Sequence, residues 1–108
     1  MGKKRRPGKS LKVEVHSLKG KREGALIKEE VWYEDGQVAA YNLVYINLRI
    51  CPVDHGRVLG FDNSHGYHHR HFMGNTEPVE LNSYEAVYRR FIRELHGLWR
   101  REDEESKG

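Results

Sequence analysis

The segment SYEAVYRRFIRELHGLW limits the possible folds of this chain more than any other stretch. Tyr84, Val87, Tyr88, Phe91, Ile92, Leu95, Leu98 and Trp99 recur at helical spacing, which gathers them into one stripe of an amphipathic helix. Arg89, Arg90, Arg93, Arg100 and Arg101 fall on its other side. An aromatic stripe of this kind has to be covered, and the residues before it carry strand signals. The expected fold class is therefore α+β: an antiparallel β-meander of about four to five strands packed by one long C-terminal amphipathic helix. Asn82 with Glu85 three places on has the pattern of a capping box. Gly97 costs about 1 kcal/mol against alanine inside a helix, which points to close packing or a local bend there.

The strand signals follow in order. Leu11, Val13 and Val15 alternate with Lys12, Glu14 and His16, a short strand whose polar face suggests a sheet edge. SLKGKREG then reads as a turn. ALIKEEVWYE (25–34) is a second strand, closed by Asp35-Gly36, a dipeptide suited to a type I′ hairpin because both residues tolerate positive φ. QVAAYNLVYINLRI (37–50) carries the strongest signal. Val38, Ala40, Val44, Ile46, Leu48 and Ile50 share one parity, and Tyr41, Leu43, Tyr45 and Arg49 the other, as in a central strand covered on both faces. Cys51-Pro52 ends it, Asp54-His55-Gly56 turns the chain, and RVLGFD (57–62) returns. After the loop Asn63-Ser64-His65-Gly66, GYHHRHFMG forms one more short strand.

A chain of 108 residues supports one modest core. The expected organisation is a disordered basic tail over 1–10, a single α+β domain over 11–101 and a flexible acidic tail over 102–108. Residues 1–22 hold nine Lys/Arg against Glu14, whereas Glu102, Asp103, Glu104 and Glu105 cluster at the other end. This asymmetry suggests a polyanionic partner, and a mobile basic arm strengthens phosphate binding in a salt-dependent way. Cys51 is the single cysteine and cannot form an internal disulfide, and MGKKRRPGKS has no apolar run behind it. Both observations favour a cytoplasmic protein. No segment approaches the roughly 18 apolar residues that would span a bilayer.

Four of the seven histidines, His65, His68, His69 and His71, fall within FDNSHGYHHRHFM. Three explanations compete: a metal site, acid/base chemistry, and a polar strand end. If the segment is extended, Tyr67, His69, His71 and Met73 share one face, and His68, Arg70 and Phe72 the other. A zinc site needs three or four ligands, so His69 and His71 would have to recruit His65, Asp62 or His55; no second cysteine and no HExxH helix is present. Acid/base chemistry needs less. Imidazoles titrate near neutrality and supply both a base and an acid, Arg70 stabilises charge on a phosphate, and Tyr67 stacks on a base or donates a hydrogen bond. Those are ingredients of RNA cleavage without a metal or other cofactor. Against this stands the plain alternative that these histidines are hydrogen-bonded residues of a half-buried strand, and that Asp62-Asn63 shape a turn.

The run FDNSHGYHHRHFMG, placed after YNLVYINLRI and before the terminal helix, resembles the TumE family of small prokaryotic toxin-like proteins over most of residues 25–100. The matching positions are Phe61, Asp62, Asn63, Gly66, His68, His69, Arg70, His71 and Gly74; the basic extension KKRRPGKSLK lies outside the match. The resemblance implies the toxin of a type II toxin–antitoxin pair with a helix-turn-helix antitoxin as partner. Ribonuclease action is inferred from the residues themselves and from analogy with other small α+β toxins.

The leading expectation is thus a toxin that cleaves RNA without a metal. His68, His69 and His71 form the reaction centre, Arg70 clamps phosphate and Tyr67, Asp62 and Asn63 support them. Arg89 and Arg93 extend a phosphate track along the helix. The alternatives are a non-catalytic nucleic-acid- or protein-binding module and a His-ligated metal-binding protein. An open strand edge offers a place for a homodimer or for an antitoxin segment added by β-augmentation.

Overall fold

The computed structural model describes residues 8–107. Six antiparallel strands lie in sequence order, β1 (Lys9–Ser17), β2 (Leu26–Glu34), β3 (Gln37–Ile46), β4 (Arg57–Asp62), β5 (His69–Phe72) and β6 (Asn75–Pro78), and helix α1 (Tyr84–Lys107) follows. The α+β class and the single long helix are as expected, with six strands in place of four to five. The extra strand is β6, whose sequence NTEP is polar, exposed and ends in proline. It pairs because Met73 and Gly74 both take positive φ and turn β5 back on itself. Asp35 and Gly36 do the same between β2 and β3, as a type I′ hairpin requires.

The helix lies across one face of the sheet, called here the helix face. Tyr41, Leu43 and Tyr45 of β3, Leu59 and Phe61 of β4 and Val31 of β2 are buried with Val87, Phe91, Leu95 and Leu98 of α1 in one core. Phe61 meets Phe91 edge-on at 6.4 Å, and Tyr45 meets Trp99 at 5.9 Å. Full burial of each such side chain contributes about 1.5–3 kcal/mol, which is how the apolar stripe of α1 fixes the helix to the sheet. The cap is Ser83, one residue later than expected: its Oγ accepts a hydrogen bond from the Ala86 amide at 3.1 Å, satisfying a donor of the first turn. A Cβ on Gly97 would meet only the end of the Arg100 side chain, at 4.0 Å. Close packing is therefore not the reason for glycine there.

Three boundaries differ from the sequence reading. β3 ends at Ile46, because Asn47 accepts the Arg49 amide on its side chain and the Ile50 and Cys51 amides on its carbonyl. The chain coils away from the sheet as a result, leaving Leu48 largely exposed. At the start, Lys9 and Ser10 already belong to β1; residues 1–7 of the expected tail lie outside the described residues. At the end, α1 continues through Lys107. Arg22, between β1 and β2, bonds Glu102 at 3.1 Å, Asp103 at 3.1 Å and the Trp99 carbonyl at 3.0 Å. Its guanidinium also lies 4.7 Å over the Trp99 ring. Glu102 accepts the Tyr45 hydroxyl as well. No helix is long and apolar enough to cross a membrane among the described residues.

Candidate active site

Strand alternation divides the histidine segment between the two faces of the sheet. β5 pairs with β4 so that Asp62 lies opposite His69, Phe61 opposite Arg70 and Gly60 opposite His71. Phe61 packs against the helix, so Arg70 points to the helix face; Asp62, His69 and His71 point to the other, outer face.

On the outer face the imidazoles gather round one carboxylate. His71 Nε2 lies 2.7 Å from Asp62 Oδ2. An ionised carboxylate only accepts, so Nε2 carries the proton and Nδ1 of the neutral ring holds the lone pair. When the ring is neutral, the Thr76 hydroxyl, 3.2 Å from Nδ1, donates to that lone pair. His69 is buried, with Nδ1 3.3 Å from Asp62 Oδ1 but without hydrogen-bond alignment to any partner among the described residues. Tyr67 lies against His69 with ring centroids 4.2 Å apart, and His65 and His71 stand 5.5 and 6.2 Å from it. Burial pushes the Asp62 carboxyl up, but the Ser64 amide, the His71 imidazole and the Ser64 hydroxyl outweigh it and hold the group below its ordinary range. Asp62 is therefore a fixed negative charge at neutral pH, able to stabilise an imidazolium on either neighbour.

The guanidinium on this face is Arg57, not Arg70. A Cβ at Gly60 would sit 2.7 Å from Arg57 Cδ, so the arginine stem crosses Gly60 on the side that carries His71. Nε and Nη2 bond Asp54 at 2.9 and 3.0 Å. Nη1 is left 3.9 Å from Asp62 Oδ2, outside hydrogen-bond range. Sequence reasoning missed Arg57 and Thr76. A glycine inside a strand such as RVLGFD marks the close approach of another group, and Gly60 is that signal.

The helix face has a different character. Arg70 bonds Glu94 at 3.0 Å through Nε and 2.6 Å through Nη2, bonds Glu77 at 3.1 Å through Nη1 and lies 5.0 Å over Phe72. Burial raises the Glu94 carboxyl, and the bonds from Arg70 and Arg90 more than reverse this. Every corner of the Arg70 fork is taken, so the expected phosphate clamp is a tie between sheet and helix. His68 Nδ1 shares a hydrogen bond of 2.7 Å with the Tyr41 hydroxyl, a phenol kept protonated by burial and then by the Asp62 charge. His68 lines an open groove of about 770 Å³ with Tyr67, Asn63 and Glu80. Asn63 is structural: its side chain accepts the Tyr41 amide and donates to the Ala39 carbonyl. Arg89 is exposed and pairs with Glu85 at 3.4 Å. Arg93 is exposed as well. Both lie on α1, which covers the sheet face opposite His69 and His71.

Among the described residues, no three His, Cys, Asp or Glu side chains are grouped to hold a metal ion. No protein-family model, no curated protein and no solved structure matches the chain.

Proposed function

We propose that this protein is the toxin of a type II toxin–antitoxin pair and cleaves RNA by acid/base chemistry at Asp62, His69 and His71. The resemblance of FDNSHGYHHRHFMG to TumE proteins supports the toxin role, with a helix-turn-helix antitoxin as its partner. One observation supports the chemistry above all: two imidazoles share one carboxylate, with a guanidinium corner 3.9 Å from the same group.

In this reading the Thr76 hydroxyl occupies the place of a substrate hydroxyl. A ribose 2′-hydroxyl that displaces it gives its proton to His71 Nδ1 while Asp62 stabilises the resulting imidazolium. The 2′-oxygen forms a bond to the adjacent phosphorus as the bond to the 5′-oxygen breaks, and the protonated His69 gives that leaving oxygen its proton. The products are a 2′,3′-cyclic phosphate and a 5′-hydroxyl. Arg57 Nη1 balances charge on the phosphoryl oxygens, and the half-exposed Tyr67 ring offers a base a surface to stack on.

The test is cleavage of RNA by the purified full chain in EDTA, followed by identification of the new ends. Cyclic phosphate termini, lost in H71A, support the proposal. Intact RNA in the presence of folded wild-type protein contradicts it, and salt-sensitive binding without turnover identifies a binding module instead.

A further inference from the structure

The two edges of the sheet are built differently. β6 is four residues long, ends at Pro78 and is tied to Arg70 through Glu77. It has the features that keep an edge from pairing. β1 lacks the shortness and the proline, and the charges near its centre, Lys12 and Glu14, are opposite in sign. It is nine residues long, contains no proline and pairs with β2 without a register shift. It is exposed along its whole length, with Leu11, Val13 and Val15 at 52, 49 and 52%. Leu11 stands opposite Trp32, also exposed, so the apolar row continues onto β2. An edge with this length and composition is a template for another strand.

The sequence of β1 specifies which strand. Consider two copies of SLKVEVH antiparallel about a twofold axis through Val13. Val13 then faces itself, and Leu11 faces Val15 of the second copy, which completes an apolar row on the outer face. Lys12 faces Glu14 of the second copy, and Glu14 faces its Lys12. Ser10 faces His16. Each cross-strand pair is apolar with apolar, opposite in charge, or polar with polar, the combinations that stabilise an antiparallel ladder. A twofold interface requires this self-complementarity. Lys12 is held on the helix face by Glu29 at 3.3 Å and Glu14 is half exposed beside His16, so both stand within reach of a neighbouring strand.

We infer that the protein forms a homodimer through antiparallel pairing of β1 with β1, joining two six-stranded sheets into one. The inference is independent of the chemistry at the histidines. Sedimentation velocity on the full chain over a dilution series tests it, with circular dichroism confirming the fold of each variant. Wild type is expected to dimerise. E14K makes both charge pairs repulsive and weakens the dimer roughly tenfold or more; K12E does the same. An equimolar mixture of E14K and K12E, in which every charged pair is opposite again, is expected to recover the dimer as a heterodimer, and so is the double variant K12E/E14K. If K12E, and with it the double variant, misfolds through loss of the Glu29 contact, E14K against wild type carries the test. A wild type that is monomeric throughout, a dimer indifferent to E14K, or a double variant that stays dissociated while folded overturns the inference.

Discussion

The two sides of the sheet around β5 hold the same residue types and use them differently. On the helix face, Arg70 is tied to Glu94 and Glu77 and His68 to Tyr41. On the outer face, His69 and His71 converge on Asp62, with one corner of Arg57 left unbonded. A guanidinium with all three nitrogens bonded within the protein holds the fold; one with a nitrogen to spare beside a carboxylate and two imidazoles can meet a substrate. Adjacent positions in the sequence thus belong to different tasks, and the alternation of a strand separates them.

The largest expected effect lies on the outer face. H71A removes the group assigned as base and should lower RNA cleavage by about 10²–10⁴-fold at a temperature where the variant is folded, measured by single-turnover kinetics with circular dichroism as the check on folding. Next comes the helix face. R70A leaves Glu94 and Glu77 without their shared cation and is expected to destabilise the fold by about 2 kcal/mol, read from denaturant unfolding. Cleavage should persist wherever the variant is folded. The opposite pattern, with R70A stable but inactive, would reverse the roles of the two faces.

Acid offers a finer comparison. Asp62 on one face and Glu94 on the other both have folded-state carboxyls below their ordinary values. Each binds protons less readily when folded than when unfolded. Their contribution to stability is complete above the ordinary carboxylate range of about 3.9–4.3 and is lost as pH falls through the lowered folded values. D62N and E94Q should each flatten the acid side of a stability–pH curve, and a curve unchanged by either removes that carboxyl from the account. The smallest effect is expected away from both faces: G97A should stabilise the protein by about 0.5–1 kcal/mol, since an added Cβ there meets only the Arg100 side chain.

Local patterns in the sequence revealed most of the fold. The helical stripe ending in Trp99, the Asp35-Gly36 hairpin and the alternation in β1 and β3 each depend on neighbours in the chain. What they left out depends on distant groups or on a competing local bond. NTEP forms a strand only because the turn at Met73-Gly74 sets it beside β5. Asn47 stops β3 with side-chain and carbonyl bonds that apolar alternation does not reveal. Glu102 and Asp103 stay within the domain because Arg22 reaches them from the opposite end of the sequence.

The site was half visible for the same reason. Parity alone paired His69 with His71 and set His68 with Arg70 on the opposite face, as the structure has them. It gave no means of knowing that Asp62 would stand opposite His69, which the length of the 63–68 connection determines. Nor did it show that Arg57 would cross Gly60 to supply the guanidinium. Density of imidazole marked the region, and register decided its membership.

The most direct measurement compares R57A and R70A in RNA cleavage in EDTA, at a temperature where both are folded. The account predicts that R57A loses most of the wild-type rate and R70A keeps it. A wild-type rate in R57A, together with its loss in folded R70A, would contradict the separation of the two faces.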